Sequence, residues 1–383
     1  MRGLAESFQA TLLTWFDRAR RDLPWRRPLD RPDAPLDPYA VLVSEAMLQQ
    51  TQVATVIPYF NRWMQRFPTV EALAAADENE VLTYWQGLGY YRRARNLYNA
   101  ARMLVERHQG QFPRDLTALR ALPGVGPYTA GAIASIAFDE PVPLVDGNVQ
   151  RVLLRLDAQL LDPRSKDGQR WLWERAGQLV PANRPGDFNS ALMELGATVC
   201  SPRKPRCLNC PVAMFCEAHH AGTAERIPPP RPTRTLPHVR RTVWCVRRAD
   251  GRWLLERRPT TGRWAGLWQF PSRDFANKSI LNRCGARPLQ PLGHTLTHRR
   301  YHFEPWAMEL ADGTPLPVQP LEPHAWVTLD ELGRYALPKP HLLIAEQLRA
   351  LQDNRGDIDA PPAGPVSRRP SAVSGRRSGG RGA

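Results

Sequence analysis

The chain has 383 residues, 42% of them hydrophobic and 23% charged, which is enough for two or three globular domains with substantial cores. Charged side chains interrupt residues 1–25, and no apolar run approaches the roughly 18 residues that a membrane-spanning helix needs. The sequence therefore predicts a cytoplasmic protein without a secretory signal or a membrane segment.

The net charge of +15 is distributed unevenly along the chain. Residues 1–220 contain 26 basic and 23 acidic side chains, whereas residues 221–383 contain 26 and 14. A basic protein attracts polyanions, of which nucleic acid is the commonest, although a basic enzyme with another substrate has a similar composition. Four of the six cysteines fall within residues 200–216, which in a long cytosolic chain is more typical of a metal site than of disulfides.

The first part of the chain has the periodicity of helices. Phe8, Leu12 and Phe16 recur at helical spacing, and Asp37–Pro38 offers an N-cap followed by proline at the first helical position. A buried helix is predicted from Ala130 to Ala137, and an amphipathic one follows Asp146, with its apolar face formed by Val149, Val152, Leu153 and Leu156. We therefore expect a mostly α-helical domain over residues 1–221.

The pattern changes after a proline-dense segment, residues 222–238, which predicts an extended linker. Thr242–Arg247 and Arg252–Arg257 predict two strands joined by a hairpin turn at Asp250–Gly251. Short strands at Trp306–Leu310 and Ala325–Thr328 and a closing helix at Pro340–Gln352 complete an α+β domain over residues 239–352. The tail, residues 353–383, is rich in Pro, Gly, Ser and Arg, and we expect it to be disordered.

The strongest single motif is a group of four cysteines, Cys200, Cys207, Cys210 and Cys216. Four thiolates in so short a segment can wrap one compact metal centre, and four is the number that an iron–sulfur cube requires. Zinc is the alternative, because two histidines follow the last cysteine, but zinc sites usually pair two C-x2-C clips and only one is present here. The spacing therefore favours a [4Fe-4S] cluster.

Two carboxylates stand out by their positions. Glu45 lies four residues after Val41 and three before Leu48, on an otherwise apolar helix face, where lost hydration raises the pKa of a carboxyl group and suits a general acid. In isolation, however, the pattern favours a glutamate at the edge of that face that is paired with an arginine. Asp146 alone predicts an N-cap, a role compatible with catalysis because capping also fixes the direction of the carboxylate.

Two further segments suit nucleic acid, although each has a simpler explanation. Gly124 and Gly126 precede a predicted helix and are expected to permit backbone turns that side chains would obstruct. Such a turn presents backbone N–H groups to a phosphate, but most such turns only redirect the chain. The segment Trp85–Arg93 mixes aromatic and cationic residues with a glycine turn, which suits insertion into a base stack. An aromatic core beside a solvated helix face explains the same pattern.

Together, and in this order, these residues resemble the adenine DNA glycosylases of the MutY type, in the helix-hairpin-helix superfamily that includes endonuclease III. The resemblance covers residues 5–220, and a weaker one covers residues 238–350, which are similar to the Nudix-like C-terminal domain of that family. The matching stretches are Leu23–Arg26, Ser44–Thr51, Trp85–Tyr91, Leu122–Gly126, Val145–Asn148, Ala191–Gly196 and the four cysteines. The resemblance implies a helix-hairpin-helix glycosylase domain with an iron–sulfur loop at residues 200–216, followed by an α+β lesion-reading domain.

The resemblance also implies a mechanism, in which adenine is flipped out of the duplex into a pocket. Glu45 matches the general acid that protonates adenine N7, and Asp146 matches the carboxylate that stabilises positive charge on the sugar. Tyr128 and Asn148 match residues that support the reacting groups. Trp25, Arg26 and Glu194 match the adenine pocket. Gln50 and Tyr90 match the side chains that are inserted near the lesion pair.

The same resemblance indicates the substrate, which is double-stranded DNA with adenine opposite 8-oxoguanine or guanine, bound by a monomer. Relatives that also cut the strand carry a lysine at the position of Tyr128, so we expect base removal with little strand cleavage. The lesion-reading loop of the family matches His294–His298, where Leu296-Thr297-His298 replaces the usual Phe-Ser-His. Thr297 retains a hydroxyl for the lesion, but the aromatic ring is lost.

Two other functions fit the sequence less well. The Nudix resemblance suggests nucleoside diphosphate hydrolysis as an alternative activity, but residues 272–279 lack the glutamate-rich helix that would bind magnesium. A DNA-binding protein without catalytic activity would have no need of both Glu45 and Asp146. We also hypothesise that Arg203, Lys204 and Arg206 in the cysteine loop contact DNA phosphates rather than only solvent. The segment Arg27–Leu36, longer than usual in the family, has no assigned role.

Overall fold

The computed structural model describes residues 2–31, 34–230, 235–274, 281, 285–311 and 313–356. Its first part is helical, as expected. The α-helices described there are α1 Arg2–Ala19, α2 Pro38–Leu48, α3 Val53–Arg66, α4 Val70–Ala74, α5 Glu78–Tyr84, α6 Arg92–His108, α7 Leu116–Ala121, α8 Pro127–Ala132, α9 Gly147–Leu156, α10 Lys166–Leu179, α11 Pro185–Thr198 and α12 Glu217–His220. A π-helical segment, Ile133–Ala137, continues α8.

Local signals place several of these helices. The side chain of Asp37 accepts a hydrogen bond from the Tyr39 backbone N–H at 2.9 Å and begins α2, with Pro38 at its first position. Asp146 caps α9 in the same way. The predicted apolar faces are buried, including Phe8, Leu12 and Phe16 on α1 and the four aliphatic residues of α9. These helix predictions are confirmed.

The second part contains a mixed sheet and a closing helix, α13 Lys339–Gly356. The described strands are β1 His238–Arg248, β2 Trp253–Arg257, β3 Trp268–Gln269, β4 Ser272–Asp274, β5 Arg287–Pro288, β6 Leu292–Leu296, β7 Arg299–Leu310 and β8 His324–Val327. They follow the order β3-β2-β1-β7-β5, with β4 also paired to β1, β6 to β7 and β8 to β2. The long central strands β1 and β7 run parallel, and every other described pairing is antiparallel.

The sheet is covered on both faces, because alternate residues of its central strands enter different cores. In β1, Val243 and Cys245 face one hydrophobic core, and Trp244 and Val246 face the other. Side chains alternate between the faces of a strand, so a strand buried on both faces reads as a continuous apolar run. The predicted α+β architecture is confirmed, and β7 begins seven residues earlier than the strand expected at Trp306.

The predicted linker, residues 222–238, is partly folded. Ala224 and Ile227 are buried in the helical core, and Ile227 accepts a hydrogen bond from the Nε of Arg155 at 2.8 Å. Residues 231–234 lie outside the described part of the chain, as does the predicted tail beyond Gly356. None of the helices in the described part combines the length and the apolar character that crossing a membrane demands.

Trp264 joins the helical domain to the sheet domain. Its side chain packs against the helical core and also against the sheet core, where its ring centroid lies 5.2 Å from that of Tyr301. Two hydrogen bonds reinforce the contact: the Tyr91 hydroxyl donates to the Leu337 carbonyl at 3.1 Å, and the Leu337 N–H donates to Gln86 Oε1 at 3.0 Å. The two domains therefore share a packed interface.

Candidate active site

A cavity of about 530 Å³ opens between the helices of the first domain. Its volume is within the range typical of small-molecule pockets. Eight residues singled out from the sequence line this one cavity: Trp25, Arg26, Glu45, Gln50, Tyr128, Asp146, Asn148 and Glu194. They come from segments up to 169 residues apart in the chain, so only the tertiary fold brings them together.

Glu45 lies on α2 at the cavity wall and is 6% exposed. Its Oε2 accepts a hydrogen bond from the Tyr128 hydroxyl, whose oxygen also lies 3.5 Å from the Met193 sulfur. Burial, aided by the nearby charge of Asp146, raises the pKa of Glu45 to about 7 despite the hydrogen bond from Tyr128. Glu45 therefore keeps its proton to a higher pH than an ordinary glutamate does and is about half protonated at pH 7.

Asp146 is the N-cap of α9. Its Oδ1 accepts hydrogen bonds from the backbone N–H groups of Asn148 at 2.9 Å and Val149 at 2.7 Å, and its Oδ2 accepts one from the Asn148 amide at 2.8 Å. Burial raises the pKa of Asp146, while these donors favour its charged form. The capping geometry predicted from the sequence is present, and it directs the carboxylate into the same cavity as Glu45.

Glu194, on α11, is a fully buried carboxylate with two arginine partners. Arg21 binds it through Nε at 2.7 Å and Nη2 at 3.0 Å, and Arg26 through Nη2 at 2.8 Å. Burial alone would raise the pKa of Glu194, but the two arginines lower it below its ordinary value. Glu194 is thus ionised, in contrast to Glu45 in the same cavity.

The two glycines of the predicted turn differ in what the structure requires of them. Gly124 has φ +81°, and a Cβ there would lie 2.6 Å from Cβ of Asn96, so only glycine fits. Gly126 has φ −88° with open space around it, so the expectation that a side chain would be obstructed is wrong at that position. Open space beside its backbone leaves room for another molecule.

Trp25 also has a structural role. It is 7% exposed and packs edge-on against Phe60, with ring centroids 5.3 Å apart. It contributes to both the helical core and the wall of the cavity.

A second cavity, of about 750 Å³, lies between the two domains. Gln50, Tyr90, Thr297 and His298 line it, and Gln50 also lines the first cavity, so the two are neighbours. Thr297 and His298 form the two-residue turn between β6 and β7. The hydroxyl groups of Thr297 and Tyr90 are 2.5 Å apart, which places the loop expected to read the lesion against the first domain.

The four cysteines line a common small cavity at the end of α9. Among the described residues, no three His, Cys, Asp or Glu side chains converge closely enough to bind a single metal ion. Cysteine sulfurs are the ligands that iron–sulfur clusters take, and four is the number that a [4Fe-4S] cluster requires. The donor set therefore fits a [4Fe-4S] cluster.

Sequence reasoning missed three arginines that organise these sites. Arg21 binds Glu194, as described above. Arg151 donates to Asn148 Oδ1 at 2.9 Å and to the Cys200 carbonyl at 2.7 Å, and so joins the active-site turn to the cysteine loop. Arg155 is 2% exposed and lies 3.3 Å from the Cys200 sulfur. The available signal was the position of Arg151 and Arg155, four residues apart on the helix that carries the apolar stripe.

Comparisons with known proteins agree with this geometry. Residues 43–177 match the family model described as HhH-GPD superfamily base excision DNA repair protein, and residues 242–347 match the NUDIX domain model. Over 57% of its length, the chain superposes on 98% of the solved structure of a thermostable thymine-DNA glycosylase, with a TM-score of 0.51 and 30% identity.

Relatives extend the similarity over both domains. The chain is 40% identical to the adenine DNA glycosylase of Rattus norvegicus, with 86% of this chain and 76% of the relative covered. It is also 40% identical to the adenine DNA glycosylase of Homo sapiens, with 88% and 73% covered. A bacterial adenine DNA glycosylase, from Mycolicibacterium smegmatis, is 45% identical over 55% of this chain and 69% of its own length.

Proposed function

The chain belongs to the adenine DNA glycosylase family and removes adenine in base excision repair, and we propose that its substrate is adenine paired with 8-oxoguanine or guanine. The contact between Glu45 and Tyr128 in a cavity shared with Asp146 is the observation that supports this proposal most directly. It supplies a protonated acid and a second carboxylate in one desolvated site.

Glu45 is the general acid in this proposal. With a pKa of about 7, it is about half protonated at neutral pH, and the protonated form transfers its proton to N7 of the flipped adenine. Protonation makes the base a better leaving group, so the bond between the base and the sugar breaks with the electron pair going to adenine. Asp146, directed by its capping hydrogen bonds, stabilises the positive charge that develops on the sugar, and water completes the hydrolysis.

The rest of the cavity suits adenine. Glu194 is anionic, so it accepts a hydrogen bond from the exocyclic amino group, and Arg26 beside it fixes its direction. Trp25 offers an apolar wall for the base. Because adenine cannot reach such a cavity from within a duplex, we propose that it is flipped out, with Gln50 and Tyr90 entering the space left behind.

Base removal proceeds without strand cleavage in this proposal. The hydroxyl of Tyr128 contacts Glu45, at the position where relatives that cut DNA carry a lysine, and a phenol cannot form an imine with the sugar. Borohydride should therefore fail to trap a covalent complex between the protein and DNA.

Thr297 and His298 read the base opposite the adenine. They lie at the tip of a hairpin, beside Tyr90, in the cavity between the domains. The hydroxyl of Thr297 can donate or accept a hydrogen bond with the lesion. Leu296, just before this tip, provides less stacking surface than the phenylalanine usual in the family.

A [4Fe-4S] cluster, held by Cys200, Cys207, Cys210 and Cys216, would crosslink the loop that they belong to. Arg203 and Lys204 in this loop are exposed and available to DNA phosphates, together with the backbone at Gly126. Arg206 is also exposed, but its guanidinium donates to the Thr198 carbonyl. One chain supplies both carboxylates and both cavities, so we propose that it acts as a monomer on double-stranded DNA in the cytoplasm.

The test is adenine release from a duplex carrying adenine opposite 8-oxoguanine, by the purified protein and its Glu45→Gln variant. Excision by the first and none by the second is expected. Tight lesion binding without excision by the cluster-loaded protein would mean that the chain recognises DNA without catalysis. Release of phosphate from nucleoside diphosphates would instead favour the Nudix hydrolase activity. Residues 272–279 lack the glutamates that this activity needs to bind magnesium, and residues 275–280 lie outside the described part of the chain.

A further inference from the structure

Gln50 and Tyr90 share an unusual backbone conformation. Their φ angles are +58° and +48°, in the left-handed region that residues other than glycine rarely adopt. Both are exposed and line the cavity between the domains. Gln50 lies in the turn that follows α2, and Tyr90 lies in the segment that joins the turn at residues 85–87 to α6. Such strain persists only where surrounding contacts impose it, so something must secure both turns.

Arg93 contacts both turns. Its Nη1 donates to the carbonyls of Ala46 at 2.7 Å, Met47 at 2.9 Å and Gln49 at 2.7 Å, at the end of α2. Its Nη2 donates to the carbonyls of Leu88 at 3.2 Å and Gly89 at 3.3 Å, directly before Tyr90, and to Thr51 Oγ1 at 3.3 Å. One guanidinium thus binds the residues on both sides of Gln50 and those that precede Tyr90.

The surroundings of Arg93 are unfavourable for an arginine placed only for stability. It is 9% exposed, its hydrogen-bond partners are neutral oxygens, and burial lowers its pKa to about 10. It is also the second residue of α6, where the helix dipole disfavours a cation. The terminal carbonyls of α2 compensate, because they carry partial negative charge and have no partner within their own helix.

The aromatic contacts of Arg93 point to the same two turns. Its guanidinium carbon lies 5.2 Å from the ring centroid of Trp85 and 5.5 Å from that of Tyr90. It therefore contacts both the side chain of Tyr90 and the backbone that sets its direction. A lysine could not reproduce this arrangement, since a single ammonium group cannot reach two turns at once.

We infer that Arg93 is a positioning residue that fixes Gln50 and Tyr90 relative to one another, so that both enter the duplex together. The inference rests on the proposed function, in which these two side chains occupy the space left by the flipped adenine. Loss of the bridge would leave either turn free to move, and small displacements of positioning groups reduce reaction rates steeply.

The test is a double-mutant cycle in the full-length protein. Single-turnover adenine excision is measured for Arg93→Lys and Arg93→Met in two backgrounds. One is the otherwise unchanged protein, and the other carries both Gln50→Ala and Tyr90→Ala. We expect either substitution at Arg93 to slow excision about tenfold or more in the otherwise unchanged protein, and less than about twofold when both inserted side chains are already absent. Arg102→Met, at an exposed arginine of the same helix, is the matched control and should have no effect.

A second measurement reports insertion itself. A 2-aminopurine placed beside the 8-oxoguanine brightens when inserted side chains unstack it, and this signal should be lost in both Arg93 variants and retained in Arg102→Met. An equal loss of rate in the two backgrounds, or a full fluorescence signal in the Arg93 variants, would overturn the inference. If Arg93→Met does not fold, Arg93→Lys carries the cycle. Failure of the unsubstituted protein to excise adenine would instead refute the proposed function.

Discussion

The hydroxyl of Tyr128 donates a hydrogen bond to Glu45 Oε2 on the wall of the cavity between the helices of the first domain. The bond favours the charged carboxylate, whereas burial favours the neutral carboxyl group, and burial prevails. The protonation of Glu45 is therefore a balance between two opposing influences, each of which can be changed by a single substitution.

Glu45 should make the protein less stable as the pH rises. Its folded-state pKa of about 7 exceeds the unfolded value of 4.5, so the folded state binds more protons between these two pH values and loses stability across that interval. Above pH 7 the buried charge costs about 3 kcal/mol. Glu45→Gln should raise Tm by several degrees at pH 8 and change it little at pH 4.5. An equal change in Tm at both pH values would contradict this.

Tyr128→Phe should move the alkaline limb of the excision rate to higher pH. In the unsubstituted protein, the single-turnover rate should fall as the pH passes about 7, because Glu45 loses its proton. Removing the phenolic hydroxyl removes the hydrogen bond that favours the charged carboxylate, so the pKa of Glu45 rises further. Tyr98→Phe, which loses a hydroxyl bonded to the distant Ala76 carbonyl, is the control. A limb that stays in place or moves to lower pH would count against this account.

Thr297→Ala should weaken the preference for 8-oxoguanine over guanine opposite adenine about threefold to tenfold, the effect of losing one neutral hydrogen bond. Thr297→Ser keeps the hydroxyl and should preserve the preference. Leu296→Phe should increase it by adding stacking surface. The measurement is the ratio of excision rates on the two duplexes, and equal ratios for all four proteins would remove the hairpin tip from lesion reading.

Arg155→Met should impair the retention of the cluster. Arg155 donates to the carbonyls of Ser201 at 2.8 Å and Ile227 at 2.8 Å, besides its contact with the Cys200 sulfur, and without it these buried groups lose their partner. We expect iron and sulfide per chain to fall by at least about half, and Tm with them. Arg164→Met, at an exposed arginine, is the control. Full iron content in Arg155→Met would disprove this role.

Arg203→Ala with Lys204→Ala should weaken DNA binding in a salt-dependent way. If each side chain neutralises one phosphate, the slope of log K against log salt should become less steep by about 1.8. Arg102→Ala with Arg107→Ala removes two exposed charges elsewhere and should leave the slope unchanged. An unchanged slope in the first pair would mean that these charges face only solvent.

The elements that sequence analysis located correctly depend on neighbouring residues. Asp37 and Asp146 cap helices through N–H groups two or three residues away, and the apolar stripe of α9 repeats within ten residues. The partners of Arg21 and Arg93 lie 173 and up to 47 residues away, so local patterns carry no sign of them. The parallel pairing of β1 with β7 is likewise a contact between distant segments.

More of the candidate site could be predicted than local sequence patterns allow, because the family resemblance indicates which distant residues form one site. Composition and spacing alone did not distinguish a catalytic Glu45 from a surface ion pair. The structure places its carboxylate against Tyr128, where no arginine forms a direct hydrogen bond with it among the described contacts. That contact is a product of the tertiary fold.

Trp264 packs, partly buried, against both hydrophobic cores, so one indole covers part of the interior of each domain. The union of the two domains then depends less on the peptide that connects them than on this shared packing. A chain divided at the linker would still contain the contacts that its halves need to reassociate. The sharing also restricts divergence, since any replacement for this indole has to satisfy two interiors at once.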